Sequence, residues 1–340
     1  MIDALVVVSR ATLREPDGSL SGRFRSEGTV AAPGSQDRLA GSLRSVATST
    51  VQAASRLGPP PQQGWVRRFL AAFAELWAAR ELTGNLVRRD LKVRHRGTFL
   101  GMLWSLTTPL LIVGLYYFIF KFIIKAAVAQ DLPRPDGQAV PFAVYFFCGL
   151  SIWNLFATGV SASTSSVIGS GYLLNKVYFP RSVLPIASVL SALVTFGFEF
   201  AVLVFITLIA VGPPSIYVLW VPVIVAVVFL QAVGLALLLS AVTVYLRDMV
   251  HFIGIFMQVW FWSTPVIYSL IYVARESPAA LNLLKANPMT GAVVSFRNVV
   301  VLNNPPALKL LAYGAACAVV MAVMGTTVFA RSQRRFSEIV

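Results

Sequence analysis

The feature that most constrains this chain is a series of long apolar runs with almost no charge. The first extends from Gly97 to Phe120, 24 residues without Asp, Glu, Lys or Arg. At about 1.5 Å per helical residue, it is long enough to cross a hydrocarbon core about 30 Å thick. Only 12% of the 340 residues are charged and 57% are hydrophobic, too few polar side chains to cover a water-soluble domain. The chain is therefore predicted to be an all-α membrane protein.

The apolar runs predict six transmembrane helices within a membrane domain that covers residues 97–331. The predicted spans cover about 99–123, 142–168, 183–211, 217–244, 250–272 and 308–330. The third and fourth spans are joined by Gly212-Pro213-Pro214, so we expect them to form a helical hairpin. Residues 273–306 are moderately apolar and interrupted by prolines, which predicts short helices that re-enter the outer leaflet. A solvated loop is the alternative.

The residues that flank the membrane domain differ from it in composition. Residues 1–64 are rich in Gly, Ser, Ala and Pro, which is typical of a flexible tail and linker. Residues 65–96 place apolar side chains at helical spacing on one face, which predicts a cytoplasmic amphipathic helix at the membrane interface. A helix packed against a soluble partner is the alternative. Residues 332–340 are predicted to be a short cytoplasmic tail.

The distribution of basic residues predicts the orientation. With six spans, both ends of the chain lie on the same side, and that side carries 14 Lys and Arg residues against 7 on the other. Basic residues near membrane helices are retained in the cytoplasm, so both termini are predicted to be cytoplasmic. The same placement explains the net charge of +14 through contact with anionic lipid headgroups, without a nucleic-acid partner.

Several chemistries have no sequence signal here. The chain contains no Gly-x-x-x-x-Gly-Lys-Ser/Thr loop for nucleotide phosphates and no His-Glu-x-x-His motif. Its two cysteines, Cys148 and Cys317, are far apart and lie within apolar runs, and it has only two histidines. We therefore expect no catalytic residue, no metal site and no cofactor bound by this chain.

A few polar and aromatic residues inside the spans are candidates for a transport conduit. Glu199 is the one carboxylate deep in a predicted span, where a charged side chain costs about 3 kcal/mol. We expect it to be structural or to line a lumen, because a proton relay would need several ionisable groups. The aromatic candidates are Trp153, Trp260, Trp262 and Tyr268, whose rings could stack on sugars. For each of them, helix packing or a lipid-facing position is the alternative.

The stretch from Arg88 to Ser105, followed by Pro109, resembles the signature of polysaccharide-exporting ABC transporter permeases. Its charged and glycine positions include Arg88, Arg89, Asp90, Lys92, Arg94, Arg96 and Gly97. Four further segments agree in order: 175–181, 263–268, Asn287-Pro288-Met289-Thr290 leading to Phe296-Arg297, and 335–339. The resemblance covers about residues 65–340, and residues 1–64 fall outside it.

This resemblance implies the membrane subunit of a type 2 ABC exporter of the O-antigen and teichoic acid family, located in the bacterial plasma (inner) membrane. It implies a homodimer, two separate ATP-binding cassette subunits that use ATP and Mg, and a lipid-linked glycan substrate. It also implies a coupling helix that contacts the ATPase, formed by Leu173, Leu174, Asn175, Lys176, Val177 and Tyr178. An exporter of drugs or lipids and a membrane-embedded glycosyl or acyl transferase are the alternatives.

Overall fold

The structure is a computed structural model. It describes residues 79–95, 104–123, 132–134, 139–170, 179–333 and 336. The predicted tail 1–64, residues 65–78 of the amphipathic helix, Arg96, Gly97 and residues 337–340 lie outside the described residues. The six predicted coupling residues, 173–178, also lie outside them.

The described residues form ten α-helices and one pair of very short strands. The helices are α1 (Arg80–His95), α2 (Trp104–Phe118), α3 (Phe142–Thr164), α4 (Val183–Ala210), α5 (Val221–Tyr245), α6 (Met249–Trp262), α7 (Leu270–Glu276), α8 (Pro278–Ala286), α9 (Pro288–Val300) and α10 (Leu308–Ser332). Three short helical segments accompany them: a π-helical turn Ile119–Ile123 and 3-10 turns Ile168–Ser170 and Ile216–Trp220. Strands β1 (Leu132–Pro133) and β2 (Ala139–Val140) pair antiparallel just before α3, with Leu132 opposite Val140.

Four of these helices are long and apolar enough to cross a membrane: α3, α4, α10, and α5 together with its preceding 3-10 turn. Their bounds lie close to those predicted for the second, third, fourth and sixth spans. The helices α2 and α6 are also apolar but shorter within the described residues, and they fall within the segments predicted for the first and fifth spans. The chain is thus a multi-pass, helical membrane protein.

The helix α6 ends at Trp262, well before the predicted end of the fifth span near residue 272. The reason lies in the next three residues. Pro265 disfavours helical geometry at Thr264 and has no N–H to continue the hydrogen-bond ladder. The hydroxyls of Ser263 and Thr264 instead donate to the carbonyls of Val259 and Trp260, four residues earlier. The apolar run that predicted one long helix therefore contains a helix, a turn and the start of α7.

The predicted hairpin between α4 and α5 is present. Gly212 adopts a positive φ of 103°, a conformation that a side chain would disfavour, and its N–H donates to the carbonyl of Thr207. The side-chain oxygen of Asn303 accepts a hydrogen bond from the backbone of Ser215, which fastens the loop after α9 to this turn.

The core is built around α3, which packs against α4, α5, α9, α2 and α6. Of an 18-residue apolar window in α3, 78% is buried inside the protein, against 28% for α4 and for α10. Phenylalanines dominate this core, including Phe146 and Phe156 from α3 and Phe296 from α9, all fully buried. The helix α10 packs along α5 and also contacts α9.

The segment between α6 and α10 is helical rather than extended. Ser269, Ser277 and Asn287 each cap a helix by accepting a hydrogen bond from a backbone N–H in its first turn. Pro278 and Pro288 occupy the first positions of α8 and α9, where a backbone N–H would have no partner within the helix, so its absence in proline costs nothing. These signals divide residues 270–300 into α7, α8 and α9.

The described part of the predicted amphipathic helix, α1, buries its apolar face on protein. Thr83 and Leu86 are buried against the first turns of α4, where Val183, Leu184 and Ala187 form a small apolar cluster. This contact fixes α1 at the end of the bundle where α4 begins.

Candidate functional site

Two of the segments that carry the family resemblance, 263–268 and 287–297, meet in the structure. They meet at the end of the bundle where α3 begins and α6 ends, which the charge distribution predicts to face outward. Two polar side chains of the second segment, Asn287 and Arg297, make the contacts. We call this set of contacts the outer joint.

Asn287 connects the end of α6 to the start of α9. Its side-chain oxygen accepts from the N–H of Met289 (3.0 Å), which caps α9, and from the indole N–H of Trp260 (2.9 Å). Its amide nitrogen donates to the carbonyl of Ser263 and to the hydroxyl of Thr264, both at 2.9 Å. All the donors and acceptors of this amide side chain are engaged, so its position is fixed by four partners.

Arg297 connects three elements. Its Nε donates to the carbonyl of Tyr145 in α3 (3.1 Å), Nη1 donates to the carbonyl of Pro265 (2.6 Å), and Nη2 donates to the carbonyl of Val266. The guanidinium carbon lies 3.8 Å from the centre of the Tyr145 ring. The side chain is only 1% exposed. A planar cation that donates in several fixed directions is suited to such a cluster of carbonyls and an aromatic face.

The cluster replaces water around a buried charge. An isolated cation removed from water is very costly unless polar partners surround it. The partners of Arg297 are backbone carbonyls and an aromatic ring, not a carboxylate. The ion pair found among the described residues joins Arg89 to Asp90 in α1 and does not involve Arg297. The backbone that Arg297 contacts is therefore held in place by the need to solvate its charge.

Gly149 leaves the space that Arg297 occupies. A Cβ atom at Gly149 would lie 2.7 Å from the guanidinium carbon and 2.8 Å from Nε of Arg297. Distances under 3.0 Å essentially never occur for real Cβ atoms. Any side chain at position 149 would therefore displace the guanidinium.

The predicted conduit aromatics lie in different environments. Trp153 is buried, with its ring centre 5.7 Å from the rings of Phe156 and Phe261. Trp260 is partly buried and lies 5.0 Å from the Phe156 ring in an edge-on arrangement. Trp262 is 49% exposed, and its carbonyl accepts a hydrogen bond from the hydroxyl of Tyr268 (2.9 Å). Trp153 and Trp260 thus belong to one aromatic cluster between α3 and α6, with Trp262 and Tyr268 beside it.

Glu199 lies in α4 and is only 3% exposed. The amide nitrogen of Asn154 in α3 approaches one of its carboxyl oxygens at 3.5 Å. Asn154 follows Trp153 directly in the chain. The structure therefore places the Glu199 carboxyl group against α3, at the residue that directly follows Trp153 of the aromatic cluster.

The basic residues of the family signature lie on the exposed side of α1. Arg88, Arg89 and Lys92 are exposed, and Arg89 pairs with the partly buried Asp90 at 3.2 Å. Arg94 lies in α1, and its side chain is not among those described.

The sequence carries a signal for the outer joint that the family resemblance alone did not bring out. Asn287 and Arg297 belong to the segments of the resemblance, but the resemblance assigns neither of them a role. An arginine within the apolar helix α9 is itself a signal, because a buried cation requires a dedicated set of partners. The contribution of Gly149 and Tyr145 had no signal in the sequence, since it depends on how α3 crosses α9.

The long apolar helices of the described residues define a multi-pass, helical membrane protein. The family model described as ABC-2 type transporter matches residues 81–301, which extend from α1 to the end of α9. The chain belongs to this family and is a transport subunit rather than a catalytic enzyme.

Curated relatives agree over most of the length. The chain is 30% identical over 264 residues to the O-antigen export system permease protein RfbA of Myxococcus xanthus, covering 78% of this chain and 97% of that protein. It is 26% and 24% identical over 255 residues to two proteins of the same name from Klebsiella pneumoniae, each covering 75% of this chain and 93% of the relative.

Proposed function

We propose that this protein is the membrane permease subunit of an ABC transporter that exports a lipid-linked polysaccharide across the bacterial plasma membrane. The observation that carries this proposal is the similarity to three O-antigen export permeases over nearly their whole length. The O-antigen itself is the substrate class that their names suggest. Teichoic acid and other cell-envelope glycans are further candidates, because they too are hydrophilic polymers carried on a lipid.

A protein conduit is physically required for such a substrate. Each sugar hydroxyl moved into hydrocarbon without a partner costs roughly 2–7 kcal/mol. A polymer of many sugars therefore crosses only through a path that supplies polar partners or aromatic surfaces. The exposed Trp262 and its neighbour Tyr268 are the residues that we assign to this path.

We further propose that the membrane domain has six spans, with α2 and α6 as the first and fifth. The apolar surfaces of these two helices support this assignment. Leu111 of α2 and Ile123 of the π-helical turn that follows it are each 64% exposed, and Ile255 and Val259 of α6 are 68% and 61% exposed. Such surfaces need lipid or another protein to cover them. The helices α7 to α9 then re-enter the outer leaflet, α1 lies at the cytoplasmic interface, and both termini are cytoplasmic.

The proposed assembly is a homodimer with two ATP-binding cassette subunits. The α2 and α6 surfaces are where we place the second copy, because a conduit for a polymer needs two halves. ATP and Mg act in the partner subunits, since this chain has no phosphate-binding loop of the Walker type. The cytoplasmic segment 172–180 is the proposed contact with the ATPase.

The test is complementation. A strain that makes O-antigen but lacks its own permease receives this chain together with the ATP-binding cassette subunit of an O-antigen export system, and surface glycan is measured with a specific antibody. The matched control pairs the chain with an ATPase whose Walker lysine is replaced. Surface glycan that depends on both subunits supports the proposal. Efflux of a dye or lipid without surface glycan would instead favour an exporter of small molecules.

A further inference from the structure

The outer joint fastens the turn at 263–268 from two sides. Asn287 holds the start of this turn at Ser263 and Thr264, and Arg297 holds its middle at Pro265 and Val266. Both side chains come from the segment that includes α9. The end of α6 and the helix α9 are therefore tied to each other by side chains at both ends of α9.

Arg297 adds a connection that Asn287 lacks, because it also reaches α3 through the carbonyl and the ring of Tyr145. The helix α3 is the most buried of the four long apolar helices. Arg297 is thus the side chain that attaches the turn to the core, whereas Asn287 attaches it to α9 alone.

We propose that Arg297 is a positioning residue for export, a role that rests on the proposed function. Its guanidinium, carried by α9, keeps the turn at 263–268 seated on α3, so that the turn, α9 and the outer end of α3 keep one relative arrangement during transport. Without this contact, the turn separates from α3, and the aromatic residues beside it, Trp262 and Tyr268, lose their fixed orientation.

Gly149 provides an independent way to disturb the same contact. Gly149→Ala keeps Arg297 and its charge but places a methyl group where the guanidinium lies. Arg297→Lys keeps the charge but removes the planar set of donors. Arg297→Met removes the guanidinium, so in the double variant it makes room for the methyl group that Gly149→Ala introduces. If the two positions act through one contact, their effects cannot add.

Cys148 offers a built-in reporter. It precedes Gly149 in α3 and is fully buried, while Cys317 is partly buried in α10. In a Cys317→Ser background, Cys148 is the one cysteine of the chain. Its labelling by a membrane-impermeant maleimide then measures how often this part of α3, next to the Arg297 contact at Gly149, becomes accessible to water.

The experiment compares Arg297→Lys, Gly149→Ala, Arg297→Met and the Gly149→Ala/Arg297→Met double variant. Lys285→Met, which removes an exposed basic residue from α8, is the matched control. We expect Arg297→Lys and Gly149→Ala to label at least about tenfold faster than the parent, because each loses at least one of the three hydrogen bonds of the guanidinium and one such bond to a charged group corresponds to about tenfold. Surface glycan should fall while the amount of protein in the membrane stays near the parent level. The double variant should match Arg297→Met, and Lys285→Met should match the parent.

Three results would overturn the proposal. The first is unchanged cysteine labelling in both Arg297→Lys and Gly149→Ala. The second is an additive effect of the two substitutions in the double variant. The third is loss of both Arg297→Lys and Gly149→Ala from the membrane. The last would mean that the contact builds the fold instead of positioning the outer end. Absence of glycan export by the parent protein would contradict the proposed function alone, since cysteine labelling does not depend on the cargo.

Discussion

The close contact between α5 and α10 predicts that a side chain at Gly325 lowers the stability of the protein, because the backbone atoms of the two helices lie too near each other to admit a Cβ atom. A Cβ atom at Gly325 of α10 would lie 2.9 Å from the carbonyl carbon of Gly234 in α5, and one at Gly234 would lie 2.5 Å from the backbone nitrogen of Ala322. The obstructing atoms belong to helical backbone, which cannot rotate aside. Gly325→Ala must therefore push the two helices apart along a contact that small residues make close.

The expected loss of stability is at the upper end of the range for overpacking. Inserting a methylene into a packed core costs about 1–3 kcal/mol, and a clash with backbone rather than with a side chain argues for about 3 kcal/mol. At about 2–4 °C per kcal/mol for a domain of this size, the melting temperature should fall by roughly 6–12 °C. Gly197→Ala in α4 is the control, because no heavy atom lies within 4 Å of its Cβ position. Alanine is favoured there by roughly 0.5–1 kcal/mol, so its melting temperature should be unchanged or slightly higher.

The assay is thermal denaturation of the detergent-solubilised protein, followed by the amount that remains monodisperse in size-exclusion chromatography. Each variant is heated in parallel with the parent chain. If Gly325→Ala melts at the same temperature as Gly197→Ala, the close approach of α5 and α10 is not a feature of the folded protein, and the reasoning fails.

Three further predictions concern transport. Trp262→Ala should reduce glycan export with near-normal expression, because its exposed ring is the one we assign to the conduit. Trp153→Ala should instead lower the melting temperature by opening a cavity in the aromatic cluster. Wild-type export by Trp262→Ala would contradict the assignment. Leu174→Asp should abolish co-purification with the ATPase while leaving membrane insertion intact, which pull-down and membrane fractionation measure, and unchanged co-purification would refute the contact. The purified chain alone should hydrolyse no ATP, since it lacks a Walker loop. Phosphate release above that of a mock preparation would contradict this prediction.

The long helices could be predicted from the sequence because the length of an uninterrupted apolar run decides them. A run of apolar residues about 20 long has no alternative in a membrane to a hydrogen-bonded helix. The bounds of α4 and α10 therefore follow closely from charge and hydropathy. The end of α6 did not follow, because Ser263, Thr264 and Pro265 stop the helix without interrupting the apolar character of the run.

The outer joint could be predicted only in part. Asn287 before Pro288 is a helix-start signal that the sequence shows directly, with an amide to cap the helix and a proline at its first position. The partners of Arg297 could not be read in the same way. They are backbone carbonyls and a space left by a glycine, and neither is encoded by residue type at a fixed spacing from the arginine.

The contacts of the aromatic residues narrow the choice among the proposed conduit residues. Trp260 has its indole N–H committed to Asn287 and its ring packed against Phe156, so it is held as part of the scaffold. Trp153 is enclosed on the same side by Phe156 and Phe261. A surface on which sugars slide must be exposed, because successive sugars need equal access to it. Of the three tryptophans, Trp262 is the exposed one: its ring contacts Phe261 edge-on at 5.8 Å but remains 49% exposed. Its backbone carbonyl accepts a hydrogen bond from Tyr268, at the end of the turn that Arg297 seats on the core. The outer joint and the candidate stacking surface are therefore parts of one structure, in which the first sets the orientation of the second.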